Sequence, residues 1–122
     1  MLVPMLAAAE HITFKPPASA DAPGPLSFAD GARVRRILSG AGFTGIQLEE
    51  VDDTLTVAGA TTLDAAVELI LQIGPTAAAL READPAIQPR VAAAVRAAIT
   101  PYQTDEGVRM GCGARIVTAR NA

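Results

Sequence analysis

The sequence predicts an α/β fold in which a helix leads into a strand, and this strand pairs antiparallel with the last strand of the chain. Three observations support this prediction. Apolar residues recur at helical spacing over residues 27–40, apolar and polar residues alternate over 44–51 and over 107–119, and the sequence between about 61 and 100 is alanine-rich with helical periodicity. We therefore expect an antiparallel strand pair, about 44–51 with 107–119, bridged by a helical insertion of about 61–100.

The helix that precedes the first strand has a predicted beginning and end. Ser27 is a good N-cap residue, and Asp30 is placed three residues later to complete a capping box. Gly40 is the expected left-handed stop at the other end. The apolar stripe between them consists of Val34, Ile37, Leu38 and Ala41. The arginines of this helix are expected to form a solvated face.

The two predicted strands both alternate as half-buried strands do. In the first, Ile46 and Leu48 alternate with Gln47 and Glu49. In the last, the residues that fall on one face at period two are Val108, Met110, Cys112, Ala114 and Ile116. We expect this face to lie on the core and the opposite face to meet solvent.

The junction between the helix and the first strand contains a misleading motif. Residues 40–45, GAGFTG, match the G-x-G-x-x-G pattern of dinucleotide-binding proteins. That site requires the glycines after a strand and before a helix, so that the helix N-terminus faces the pyrophosphate. Here the glycines follow a helix, whose C-terminus carries a partial negative charge. We interpret them as a helix stop and a turn.

Composition argues against several classes of function. The net charge of −3 and the pI near 5.0 argue against a general nucleic-acid-binding protein. One cysteine and one histidine cannot form an internal disulfide, a multi-cysteine metal site or a histidine-based triad of the usual kind, so we predict no catalytic residue and no metal ligand. No segment is apolar for long enough to span a bilayer, and no basic signal-peptide n-region is present. We therefore expect no membrane partner and a cytoplasmic location.

Helices and connectors account for most of the remaining sequence. Residues 3–11 favour a short helix, and the four prolines of Pro16–Pro25 favour an extended connector. The acidic run Glu49–Asp53 is interpreted as a solvated strand end rather than a metal site, because neighbouring residues on a strand point to opposite faces.

The insertion is expected to contain three helices. Thr61-Thr62 caps the first with Asp64 closing a capping box, and this helix is apolar around most of its circumference, so it should be buried on more than one side. Gly74-Pro75 ends it, and Thr76 caps the second helix. Asp84-Pro85 begins the third, in which Pro89 is expected to distort the first turns. The apolar face of the third helix consists of Val91, Val95, Ala98 and Ile99.

Three segments of the chain, taken in order, resemble a known family. They are PGPLSFADGARVRRILSGAGF, LQIGPTAAALREA and YQTDEGVRMGCGARIVTARN. Together they resemble the C-terminal part of bacterial class I S-adenosylmethionine-dependent methyltransferases, in particular methyltransferase-domain proteins that end in a "GVR…VTAR" strand. The resemblance covers nearly the whole chain from about Leu2 onward. It rests on the order and spacing of the segments, none of which is a catalytic motif.

The resemblance implies a fold and the part of that fold to which each segment corresponds. It implies that Phe28–Ser39 is the late helix of a Rossmann-like methyltransferase fold, with Thr44–Val51 and Gly107–Ala119 as its sixth and seventh strands. It also implies that Thr61–Thr100 is an insertion that helps to cap the substrate side. The family binds S-adenosylmethionine earlier in the sequence, at a glycine-rich loop after its first strand, and we expect no strand–glycine–helix arrangement in this chain. Arg115 departs from the family, which often has a large aromatic residue at this place in the last strand.

By this resemblance the chain is a single partial domain that lacks the cofactor-binding half. Its expected parts are 1–26 (short helix and connector), 27–60 (helix and strand), 61–100 (insertion) and 101–122 (terminal strand). The family's cofactor is S-adenosylmethionine, and none is expected to bind this chain alone. Without the family's fifth strand, Gly107–Ala119 would keep a free edge, so we expect a homo-oligomer or a partner chain there.

The functional expectation is therefore a substrate-cap and sheet-completing portion of a methyltransferase, inactive alone. Leu69, Ile73 and Gly74 are the candidate substrate-cap residues, because binding pockets are largely apolar; plain core packing is the competing interpretation. Cys112 is interpreted as a small buried side chain rather than a nucleophile. Two alternatives remain open, namely a non-catalytic interaction or dimerisation module and a small apolar-ligand-binding domain.

Overall fold

The structure of the protein is a computed structural model that describes residues 2–19, 21–24 and 26–122. The helices are α1 Leu2–Ala9, α2 Gly31–Gly40, α3 Leu63–Gln72, α4 Gly74–Glu82 and α5 Gln88–Ile99, and the strands are β1 Phe43–Thr56, β2 Gln103–Thr104 and β3 Gly107–Asn121. Short 3₁₀ turns occupy Val57–Gly59, Pro85–Ile87 and Thr100–Tyr102. The three strands form one antiparallel sheet in the order β1-β3-β2. The predicted mixed α/β class, with its antiparallel pair bridged by helices, is confirmed.

The chain divides into two compact units. The first unit comprises Met1–Pro16 and Thr54–Cys112, and the second comprises Pro17–Asp53 and Gly113–Ala122. The helices α1, α3, α4 and α5 belong to the first unit, and α2 belongs to the second. Both long strands contribute residues to both units, because the division falls within β1 and within β3.

The core of the first unit lies between its helices. α1 packs chiefly on α5, and α3 packs on both α4 and α5. The predicted face of α5 is confirmed, since Val91, Val95 and Ile99 are fully buried and Ala98 is half-buried. The other buried apolar residues of this core are Ala8, Ile12, Ala60, Ala66, Val67, Ile70, Val108 and Met110.

The helix ends of the insertion follow its caps and prolines. The Thr62 hydroxyl accepts a hydrogen bond from the amide of Ala65, as expected of an N-cap. α3 ends at the predicted break, and Pro75 lies in the first turn of α4. The second helix begins at Gly74, two residues before its predicted cap. Pro89 causes no distortion because α5 begins at Gln88, which places this proline in the first turn, where its missing N–H has no helical partner to lose.

A short hairpin precedes the last strand and is not predicted by the sequence analysis. Gln103 pairs with Val108 and Thr104 with Gly107, so the hairpin loop has only two residues. Gly107 has φ of +108°, and a Cβ atom there would collide with the carbonyl oxygen of Ala60. Only glycine fits this position, because it needs both the positive φ and the close approach of a neighbouring backbone.

In the second unit, α2 begins and ends later than predicted. Its N-cap is Asp30, not Ser27, and the Asp30 carboxylate accepts hydrogen bonds from the amides of Ala32 and Arg33. Asp is as good an N-cap as Ser, so the residue nearer to the apolar stripe prevails. The chain turns at Gly42, with φ of +90°, rather than at Gly40. The glycines of residues 40–45 thus follow a helix and lead into a strand, as predicted.

The burial of β3 differs from the single apolar face that was predicted. Val108 and Met110 are buried and Cys112 is half-buried, but Ala114 and Ile116 are exposed. In the second unit the half-buried residues are the odd-numbered Arg115, Val117 and Ala119. The buried parity therefore changes at Gly111-Cys112-Gly113, where the first unit ends and the second begins.

Candidate functional site

An apolar cavity in the first unit brings two of the three candidate substrate-cap residues together. It has a volume of about 250 Å³ and is lined by Leu55, Thr56, Val57, Leu69, Ile70, Ile73, Met110, Gly111 and Cys112. Three segments form its wall, namely the end of β1 with the 3₁₀ turn, the second half of α3, and the start of β3. Leu69 and Ile73 belong to the lining; Gly74 does not, although it lies at the break between α3 and α4.

The end of α3 positions the two candidates. Leu69 lies in the last turn of α3, and Ile73 is the extended residue that directly follows the helix, where its amide donates to the Leu69 carbonyl oxygen (3.0 Å). Leu69 is half-buried and Ile73 is 48% exposed, while Ile70 is buried. Gly74, with φ of +74°, then begins α4. The two residues therefore combine contact with the core and access to solvent.

The strand residues of the cavity were not recognised from the sequence as site residues. Leu55 and Thr56 lie at the end of β1, and Met110 and Cys112 lie in β3. The predicted strand pairing could have identified them, because an antiparallel pair must bring the end of the first strand beside the start of the last strand. The strand was predicted to end near Val51, whereas β1 continues to Thr56 and so reaches the cavity.

The chemistry of the cavity is that of an uncharged binding site. Its lining contains no charged side chain, and its side-chain polar groups are the Thr56 hydroxyl and the Cys112 thiol. Cys112 is half-buried rather than buried, so this part of the prediction is wrong: the cavity leaves one side of it open. No titratable base lines the cavity to activate the thiol. The arrangement can hold an apolar molecule but offers no group for proton transfer.

The second unit contains a different polar feature, centred on Arg115. Its guanidinium donates hydrogen bonds to the carbonyl oxygens of Phe28 (2.9 Å) and Ala29 (2.7 Å) and forms an ion pair with Glu50 (2.6 Å). The Arg115 side chain is only 21% exposed. It therefore ties the segment before α2 to both long strands. A cavity of about 470 Å³ beside it is lined by Leu26, Phe28 and Asp52 among others, but the charge of Arg115 is already paired.

Two of the other four arginines of the second unit are engaged within the protein. Arg33 donates to the Ser27 carbonyl oxygen and forms an ion pair with Asp21. Arg35 donates to the carbonyl oxygen of Ile46. The expected solvated arginine face of α2 is thus partly a set of internal hydrogen bonds.

The acidic residues offer no metal site in the described part of the chain. No group of three or more His, Cys, Asp or Glu side chains there is arranged to hold a metal ion.

No family model, curated protein or solved structure matches the chain.

One strand–glycine–helix connection does occur, contrary to the sequence expectation. β1 is followed by a 3₁₀ turn that ends at Gly59, with φ of +69°, and then by α3. This loop has a single glycine, the amide of Ala65 is already bonded to Thr62, and the Asp64 carboxylate in the first turn of the helix forms an ion pair with Arg96. The loop therefore lacks the glycine-rich backbone with free amides that a nucleotide-type cofactor requires after a strand.

The helices of the described residues are short relative to a membrane span. Among residues 2–19, 21–24 and 26–122, no single helix is long and apolar enough to cross a bilayer. Only α3 and α4 taken together are long and apolar enough, and their axes bend by 60° at the junction.

Proposed function

We propose that this chain is the C-terminal part of a class I S-adenosylmethionine-dependent methyltransferase. In this proposal it completes the sheet of the enzyme and supplies a helical cap on the substrate side, and it is inactive alone. The observation that carries the proposal is the order of elements: α2, then β1, then the helices α3 to α5, then β3 antiparallel to β1. This is the order implied by the resemblance of the three sequence segments to the end of that family.

The free edge of β3 in the second unit supports the same proposal. β1 occupies one edge of β3, and β2 pairs only with Gly107 and Val108, which belong to the first unit. Over residues 113–121 the second edge of β3 has no strand beside it in the described ranges. A strand with one unpaired edge needs a partner or protection. A preceding strand of a larger sheet would supply the missing hydrogen bonds.

The exposed apolar side chains of the second unit are consistent with this role. Val34 is the only residue of this unit, within the described ranges, that is both buried and apolar. Phe28, Ile37 and Ile116 are large and exposed. A two-stranded sheet covered by one helix cannot bury these side chains, but a wider sheet can.

The described residues do not fit the cofactor of the proposed enzyme. The connection between β1 and α3 has one glycine, and the Ala65 amide at the start of α3 is already bonded to Thr62. We therefore assign no step of methyl transfer to this chain. Its contribution is to exclude water from the acceptor and to hold it, chiefly through Leu69 and Ile73.

Two measurements test this proposal together. Calorimetric titration of the purified chain with S-adenosylmethionine should show no binding. The genomic DNA upstream of Met1 should encode a strand followed by a glycine-rich loop and a helix, in the same or a neighbouring reading frame, and the polypeptide including that region should bind the cofactor. Micromolar binding to the chain alone would refute the inactive-half assignment. An upstream region without such a loop would refute the family assignment.

A non-catalytic interaction module is the second candidate, and it is favoured by the same free edge and exposed side chains. The two proposals differ in what satisfies the edge of β3. Sedimentation of the purified chain tests this directly. A stable dimer, together with an upstream region that encodes no donor-binding half, would favour the module.

A further inference from the structure

We propose that the cavity between β1, α3 and β3 binds a neutral, mostly apolar small molecule of one or two rings. The ligand would contact Leu69 of α3 and Ile73 directly after it, with Thr56 and Cys112 on the strand side. The inference rests on the proposed function only in that this molecule would be the methyl acceptor. The binding itself follows from the size, polarity and openness of the cavity.

The size of the cavity limits the ligand. An apolar cavity of about 150 Å³ is sufficient for benzene. The cavity here measures about 250 Å³, which is larger than that but below the range of about 300–1,000 Å³ typical of drug-sized ligands. One or two fused rings, or a branched chain of similar bulk, fit this volume.

The polarity of the cavity excludes charged ligands. No Asp, Glu, Lys, Arg or His belongs to the lining. The polar side of α3 does not contribute, because Gln72 donates to Glu68 (3.0 Å) on the exposed surface of the helix and neither residue lines the cavity. A carboxylate or ammonium placed inside would lose its hydration and gain no partner. A hydroxyl group on the ligand could still bond with the Thr56 hydroxyl.

The mouth of the cavity favours a small molecule over a protein partner. Leu55 and Ile73 belong to the lining and are 56% and 48% exposed, so the cavity is accessible from solvent beside them. A partner surface resting on these two side chains would leave the volume behind them unfilled, and the lining would lack dispersion contacts on that side. A ring that enters the cavity fills this volume and covers the same two side chains.

The single thiol of the chain provides a direct readout. Cys112 is the only cysteine and lines the cavity, so its rate of alkylation by iodoacetamide, followed by mass spectrometry, reports occupancy. The neutral probe is 1-naphthol, and the charged counterpart with the same rings is naphthalene-1-sulfonate. We expect 1-naphthol to slow alkylation in a saturable manner, and naphthalene-1-sulfonate to bind at least about tenfold more weakly.

Substitutions distinguish binding in the cavity from nonspecific binding to exposed apolar side chains. Ile73→Asp places a carboxylate at the mouth and should weaken protection by 1-naphthol at least about tenfold. Ile37→Asp is the matched control, because Ile37 is 47% exposed and lies in the other unit. Leu55→Asp, at the end of β1, is a second variant in case Ile73→Asp perturbs the end of α3.

The outcomes are unambiguous. Absence of protection by 1-naphthol, equal protection by the sulfonate, or an equal effect of Ile37→Asp would each overturn the inference. So would protection that follows protein concentration, because that would indicate a second copy covering the cavity. Protection by 1-naphthol without cofactor binding by the longer polypeptide would support the cavity and refute the methyltransferase. The reverse result would refute only the cavity.

Discussion

Replacing Arg115 should loosen the second unit and leave the first unit intact. The Arg115 guanidinium binds two backbone carbonyl oxygens and one carboxylate, and it lies close to Gly31 at the start of α2. Arg115→Ala removes all three interactions.

The expected magnitude follows from the exposure of the partners. Hydrogen bonds to a charged donor contribute about 1.5–3 kcal/mol when they are protected, but the Phe28 and Ala29 carbonyl groups can be rehydrated after the change. The ion pair adds about 0–1 kcal/mol, because the Glu50 side chain is 75% exposed. We therefore expect Arg115→Ala to destabilise the second unit by about 2 kcal/mol. Arg115→Lys keeps the charge but loses the planar fork, and should cost about half as much.

Native-state hydrogen exchange is the suitable assay, because it resolves the two units separately. A loss of about 2 kcal/mol corresponds to about a 30-fold faster exchange of protected amides in α2 and in residues 113–121. Amides of α5, in the first unit, should be unaffected if the two units open independently. Urea unfolding followed by circular dichroism gives the global free energy alongside.

Two further substitutions distinguish the carbonyl bonds from general charge effects. Arg120→Ala is the matched control on the same strand, since Arg120 lies beside Gly45 and has no part in the hydrogen bonds to Phe28 and Ala29. It should change stability by less than about 0.5 kcal/mol. Glu50→Gln should cost no more than about 1 kcal/mol. If Arg115→Ala exchanges like the wild type, or if Arg120→Ala costs as much, then Arg115 does not fasten this segment.

Three other predictions concern the backbone, the core and a cap. Gly107→Ala should lower the melting temperature by at least about 10 °C, because the added Cβ collides with a carbonyl group at a positive φ, whereas Gly111→Ala meets open space and should be neutral within about 0.5 kcal/mol. Ile99→Ala should cost about 2–5 kcal/mol in urea unfolding because Ile99 is fully buried, and the exposed Ile37→Ala less than about 1 kcal/mol; similar costs would contradict the assigned core. Asp30→Ala should cost about 1 kcal/mol and speed amide exchange in the first turn of α2, and unchanged exchange there would contradict its role as N-cap.

The elements that could be predicted from the sequence are those set by local chemistry. The period of Val91, Val95 and Ile99 specified the buried face of α5, and Thr62 specified the start of α3. The antiparallel pairing of the long strands followed from their alternation and from the helical sequence between them. Each of these features depends on residues within a few turns of one another, or on the topology of one connection.

The features that escaped prediction depend on contacts distant in sequence. Asp30, and not Ser27, is the N-cap of α2, which depends on where α2 meets the sheet. The Ser27 carbonyl oxygen instead accepts a hydrogen bond from Arg33. The hairpin before β3 depends on Gly107 fitting against the backbone of a residue 47 positions earlier, Ala60. Only one wall of the cavity was predicted. Leu69 and Ile73 are four residues apart in the sequence, whereas Cys112 comes close to them only because the last strand pairs with β1. Local patterns contain no information about that third wall.

The change of parity within β3 has a consequence for how the gene can vary. One extra residue between Cys112 and Gly113 would rotate everything beyond it by half a period, so that Arg115 and Val117 would turn toward the side on which Ile116 now lies. Deleting one residue would have the same effect in the opposite direction. We therefore expect a single-residue insertion or deletion at Gly111-Cys112-Gly113 to destabilise the second unit more than the same change in an exposed loop.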